Sequence, residues 1–101
     1  MKLKAGFLFV TSCAAGDDGP TWVKTEGVDL LVIPATSYAD ALEKAQWAVK
    51  EQGCAALELC GGFGNEGTAL IARSVDVPVG AVRFDVHPGL GNVSGDTVFG
   101  K

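Results

Sequence analysis

Two short stretches hold the side chains best able to do chemistry: Glu58-Leu59-Cys60-Gly61-Gly62-Phe63-Gly64-Asn65-Glu66-Gly67 and Arg83-Phe84-Asp85-Val86-His87-Pro88-Gly89. In the first, an apolar run passes through a glycine-rich turn straight into a helical pattern. Glycines permit close backbone approach, and a helix N-terminus presents unpaired N–H groups and the positive end of its dipole. Gly61, Gly62, Gly64 and Asn65 are therefore the expected ligand-binding residues for a small anion, a phosphate or a carboxylate. In the second stretch, Arg83 offers a positive fork to the same anion, and Asp85 and His87 can work as an acid and base pair.

Four side chains are candidate catalytic groups: Glu58, Cys60, Asp85 and His87. Cys60, at a strand end beside a helix N-terminus, sits where a thiol pKa can be lowered, or it is a small packing residue. A thiol enzyme would use Cys60 as nucleophile, His87 as base and the amides of Gly61 and Gly62 to stabilise an oxyanion. His87 alternatively caps or braces its loop. Glu58 shares a strand face with Cys60, so burial would require a partner such as Arg83; a structural ion pair and a catalytic carboxylate are both open readings. Metal ligation by Glu58, Cys60, Asp85 and His87 matches no familiar spacing, and no metal is expected. No cofactor is assigned. Gly62 to Gly67 matches G-x-G-x-x-G, but a dinucleotide site needs a second mononucleotide-binding half and only one further strand and a loop remain. The plain alternative for this turn is a tight strand-to-helix connection that binds nothing.

These segments need a scaffold. Leu3 to Val10 and Val28 to Ile33 read as strands buried on both faces, the second stopped by Pro34. Ser37, with Asp40 three residues on, caps a helix whose apolar stripe is Tyr38, Ala41, Leu42, Ala45, Ala48 and Val49, and Gly53 closes it. Cys54 to Cys60 is a third strand, Asn65 to Ser74 a second helix with Asn65 as N-cap, and Val79 to Phe84 a fourth strand. Residues 11–27 form a long connection, either a functional loop or one hiding a helical turn around Thr21 to Lys24. From Asp85 onward the Gly-rich chain reads as loop. The expected fold is a single α/β domain over residues 1–101: a small four-stranded, mainly parallel sheet with two main helices in βαβ units.

The motifs E-L-C-G-G-F-G (58–64) and V-R-F-D-V-H-P-G-L-G (82–91) resemble a family of small bacterial proteins of about this length that carries a domain-of-unknown-function label. The resemblance covers most of the chain. It implies a compact α/β domain and assigns no catalytic residue, and it leaves Cys13 and Trp22 without a role.

Composition narrows the classes. The chain has 101 residues, 48% hydrophobic and 20% charged, with a net charge of −4. Its mean hydropathy is +0.26, and no apolar run is long enough to cross a bilayer. Without a basic stripe, nucleic acid is not an expected partner, and neither is a membrane. Three cysteines without C-x-x-C spacing suggest free thiols and a cytoplasmic protein. Trp47 lies opposite the apolar stripe of its helix, which points to a homodimer or larger homo-oligomer unless Trp47 packs under the 11–27 loop or lies singly exposed. The functional expectation is a small soluble protein that binds an anionic metabolite at the glycine turn and Arg83. The alternatives are a non-catalytic homo-oligomeric structural or regulatory module, and a Cys60/His87 thiol enzyme.

Overall fold

A computed structural model of the chain describes residues 2–11 and 19–100. Five strands and three α-helices follow in the order β1 (Leu3–Val10), β2 (Thr21–Lys24), β3 (Val28–Ala35), α1 (Tyr38–Lys50), β4 (Ala56–Leu59), α2 (Asn65–Ser74), β5 (Val79–Ala81), a 3-10 turn (Pro88–Leu90) and α3 (Gly95–Phe99). The sheet order is β2-β3-β1-β4-β5. β1 lies at its centre, parallel to β3 and β4, while β5 is parallel to β4 and β2 runs antiparallel to β3.

The fifth strand corrects the four-strand expectation. It is Thr21–Lys24, in the connection expected to be either a functional loop or one hiding a helical turn there, and its T-W-V-K sequence forms a largely exposed edge strand with only Trp22 half-buried. β3 also continues past its expected stop, because Pro34 pairs with Phe9 inside the strand. The pairing of β2 ends at Val32, so Pro34 lies where β3 has an edge and a missing N–H breaks no ladder on that side. At the other end β5 is three residues long and leaves Arg83 outside the sheet.

α1 forms as its sequence dictates. The Ser37 hydroxyl accepts from the Asp40 amide at 3.0 Å, and the Asp40 carboxylate accepts from the Thr36 amide at 2.9 Å and pairs with Lys44 at 3.0 Å. Burial acts to raise the Asp40 pKa, but the Thr36 amide and the Lys44 ammonium outweigh it and hold the carboxyl below its ordinary value. Gly53, at φ +76°, turns the chain out of the helix. α2 spans the residues expected of it, but its N-cap is Gly64, not Asn65.

Both crossovers, β3-α1-β4 and β4-α2-β5, step the same way across the sheet, so right-handed connections place both helices on one face. There Tyr38, Ala41, Ala45 and Ala48 of α1 and Ile71 of α2 pack on Leu8, Val10, Leu31, Ile33, Ala35, Leu57 and Leu59. The oppositely directed step from β1 to β3 passes through β2 and has no helix among the described residues. Among the described residues no helix covers the second face: Phe7, Phe9, Val28, Leu30, Val32 and Pro34 are only half-buried, and Leu3 and Val23 are 46% and 50% exposed. β1 and β3 are buried on one face, not two. Trp47 is half-buried against the core cluster, so it does not stand out as an exposed anchor. The segment after Asp85, expected as loop, holds the 3-10 turn and α3.

Candidate functional site

The order β3-β1-β4 makes the junction of β1 and β4 a switch point, since the chain leaves β1 toward one edge and later returns across it. Ligands of open α/β sheets bind beyond the carboxyl ends of strands at such points. A crevice of about 410 Å³ lies there, lined by Phe9, Val10, Thr11, Cys60, Gly62, His87, Gly89 and Leu90, within the size range of small-molecule sites.

Cys60 follows β4 and is held in place by its amide donating to the Leu8 carbonyl at 3.0 Å. Its free thiol is half-buried, and the Gly62 amide donates to Cys60 Sγ at 3.2 Å. The Gly62 amide therefore serves the sulfur directly, which differs from the oxyanion role expected of it.

His87 reaches the crevice from the segment after β5. The Gly89 amide donates to its Nδ1 at 2.9 Å, and its ring meets Phe84 edge-on with centroids 4.6 Å apart. A Cβ at Gly61 would lie 3.2 Å from His87 Cδ2, and one at Gly89 would lie 3.1 Å from Cε1. Nε2 sits between those two ring atoms. Because Nδ1 accepts, the neutral ring carries its proton on Nε2 and presents a donor. In that tautomer His87 offers a donor at Nε2, whereas the base role expected of it toward Cys60 requires a free lone pair there.

The other expected residues do not join them. Glu58 is exposed on the uncovered face, opposite Phe7 and Gly80 in register. Arg83 pairs with Asp85 at 2.7 Å, both side chains largely in solvent, so the expected Glu58–Arg83 pair is absent. β5 ends too early to bring the guanidinium beside β4.

At the glycine turn the chain supplies its own anion. The Asp96 carboxylate, from α3, accepts from the amides of Glu66 at 3.0 Å and Gly67 at 3.1 Å. The Tyr38 hydroxyl donates to Asp96 Oδ1 at 2.9 Å and accepts from the Gly64 amide at 3.0 Å. Partial burial acts to raise the Asp96 pKa, but the hydrogen bonds from Glu66, Tyr38, Gly67 and Asn65 together hold its carboxyl below the ordinary range. Burial, countered by the Gly64 amide and reinforced by Asp96, pushes the Tyr38 phenol up to about 12. The glycines admit these groups: a Cβ at Gly64 would fall on the Asp96 carboxylate, one at Gly67 on the Tyr38 ring, and one at Gly95 on the Gly62 carbonyl. Tyr38 also stacks on Phe63 at 5.5 Å and tilts against Phe99 at 5.9 Å. The G-x-G-x-x-G spacing here thus closes a strand-to-helix turn on the protein's own side chains.

Sequence reasoning missed Asp96 and Tyr38. Ser94, whose hydroxyl accepts from the Asp96 amide at 3.2 Å, is a capping signal two residues before Asp96 that marks a helix start. Nothing in the local sequence says which helix Asp96 then caps. Cys13 lies outside the described residues. Trp22 is half-buried against the core, with Lys4 Nζ 5.9 Å from its ring centroid.

Fold and crevice define a small two-layer α/β protein with an open, mostly parallel sheet and a thiol at its switch point. The chain belongs to a family of unknown function (DUF6506), which matches residues 3–97. No curated protein and no solved structure matches it. No helix among the described residues is long and apolar enough to cross a membrane.

Proposed function

We propose that the protein binds a small carboxylate compound bearing an aldehyde or ketone carbonyl in the β1–β4 crevice, where the Cys60 sulfur adds to the carbonyl carbon while the C=O π bond opens and the thiol proton passes to the oxygen, giving a hemithioacetal or hemithioketal. The observation that carries this reading is the convergence of Cys60, Gly62 and His87 on one crevice at the switch point. Phe9, Val10 and Leu90 would hold an apolar body of a few carbon atoms. The His87 Nε2–H would donate to the ligand's oxygen, and the Gly62 amide would hold the Cys60 sulfur in place toward the ligand. Asp96 already fills the end of α2, so the acceptor oxygen of the ligand is read here by His87 and not by the glycine-turn amides or Arg83.

Alkylation by iodoacetate tests the proposal, because this reagent carries both a carboxylate and an electrophilic carbon. Cys13→Ser removes one competing thiol. Cys54 is buried, which pushes its thiol pKa up despite nearby Lys4, so it reacts slowly. Cys60 should be modified at least ~10-fold faster than an unfolded-chain cysteine, and His87→Ala should slow iodoacetate more than the uncharged iodoacetamide. A Cys60 rate equal to that of the unfolded chain, or one indifferent to His87→Ala with both reagents, would overturn it.

A further inference from the structure

We propose that the uncovered sheet face is the interface of a homodimer in which two copies pack sheet on sheet. β1 and β3 each present alternate residues to this face. In register, Leu3, Ala5, Phe7 and Phe9 lie beside Val28, Leu30, Val32 and Pro34, and Val23 and Thr21 extend the row on β2. Two eight-residue strands, β1 and β3, flanked by the four-residue β2 and β4, at ~3.3 Å per residue and ~4.8 Å spacing make a face of roughly 400 Å². Two such faces cover roughly 800 Å² in projection, the size of a weak, reversible contact, and one left bare is an apolar patch of the size that marks functional surfaces on monomers.

The charges favour a second copy over other occupants. Among the described strand residues of this face Glu58 is the one charged side chain, and the chain carries −4 overall, which opposes docking on anionic lipid. Residues 12–18, S-C-A-A-G-D-D, hold no large apolar side chain with which to cover the face. A two-fold axis along β1 would lay β1 on β1 and β4 over the partner's β3. The two Glu58 carboxylates would then fall on opposite flanks, ~10 Å apart across the sheet, and would not confront each other. Gly80, beside Glu58 in the ladder, has open space where a side chain would stand, and through that notch the carboxylate reaches water. Aligned sheets packed in this way interdigitate the Phe7, Leu30 and Val32 side chains as a sandwich core does.

The experiment is sedimentation equilibrium of the full chain from micromolar to millimolar concentration, read as mass and independent of any Cys60 chemistry. The expected mass rises with concentration to twice the 10.4 kDa of one chain. Val23→Glu, at a position half-exposed in the single chain, should keep the circular dichroism spectrum and weaken dimerisation at least ~10-fold, and Leu30→Glu should abolish it. Glu58→Gln should tighten it. A monomer at all concentrations, or a dimer whose dissociation constant ignores both Val23→Glu and Glu58→Gln, would overturn the proposal. So would a monomer that instead sediments with vesicles of phosphatidylserine.

Discussion

Removing the Asp96 carboxylate should loosen the end of α2 and the whole C-terminal segment with it. Asp96 accepts two α2 amides and the Tyr38 hydroxyl, so Asp96→Ala strands three donors at once. Loss of a capping oxygen costs about 1 kcal/mol, and a part-buried phenol left without its charged acceptor adds about 1–2 kcal/mol. Partial exposure screens the charge, which sets the expected loss at about 2–3 kcal/mol, a fall in Tm of roughly 10–20 °C for a domain of this size. Asp96→Asn keeps an acceptor but loses the favourable charge at the helix end, about 1 kcal/mol. The assay is urea unfolding followed by circular dichroism from neutral pH downward. A carboxyl whose pKa is depressed by folding contributes stability above its ordinary value and loses it as pH falls through the folded value. Wild type and Asp96→Asn should therefore differ at neutral pH and converge in acid. An Asp96→Ala variant within 0.5 kcal/mol of wild type, or a gap to Asp96→Asn that does not close in acid, would refute the reasoning.

Tyr38 is the one tyrosine in the chain, so phenolate absorbance reports it alone; it should titrate near 12, and the stability it contributes should be present below pH 10 and fade between there and its folded value. Tyr38→Phe should cost about 1–2 kcal/mol by stranding the Gly64 amide, measured as a shift in the urea midpoint. Gly67→Ala would push a methyl into the Tyr38 ring and should destabilise by about 1–3 kcal/mol in the same assay; an unchanged midpoint would show that the ring does not need the glycine. Arg83→Ala breaks only an exposed pair with Asp85 and should change stability by less than about 1 kcal/mol, whereas a burial-sized loss would restore the Glu58–Arg83 pairing.

Local chemistry is legible where neighbours in sequence are neighbours in space. β1, the start of β3, the Ser37 cap, Gly53 and the span of α2 follow from apolar periodicity, a hydroxyl cap and a glycine stop, all of which act over a few residues. Cys60, Gly62 and His87 stood out as chemically capable for the same reason. What escaped were the hydrogen bonds that close over a long stretch of chain at the glycine turn. Asp96 lies 30 residues from the Glu66 amide it accepts, and the glycine turn looks identical whether a ligand or the protein's own carboxylate fills it. A strand's sequence says that it is apolar, but not that the β1-to-β3 step has, among the described residues, no helix to cover its second face. Nor do the two ring nitrogens of His87 differ until the Gly89 amide claims Nδ1. Sequence determined which groups are present and the short elements that hold them. The tertiary structure alone decided which of them meet, because hydrogen-bond partners and burial are set by the packing of distant segments.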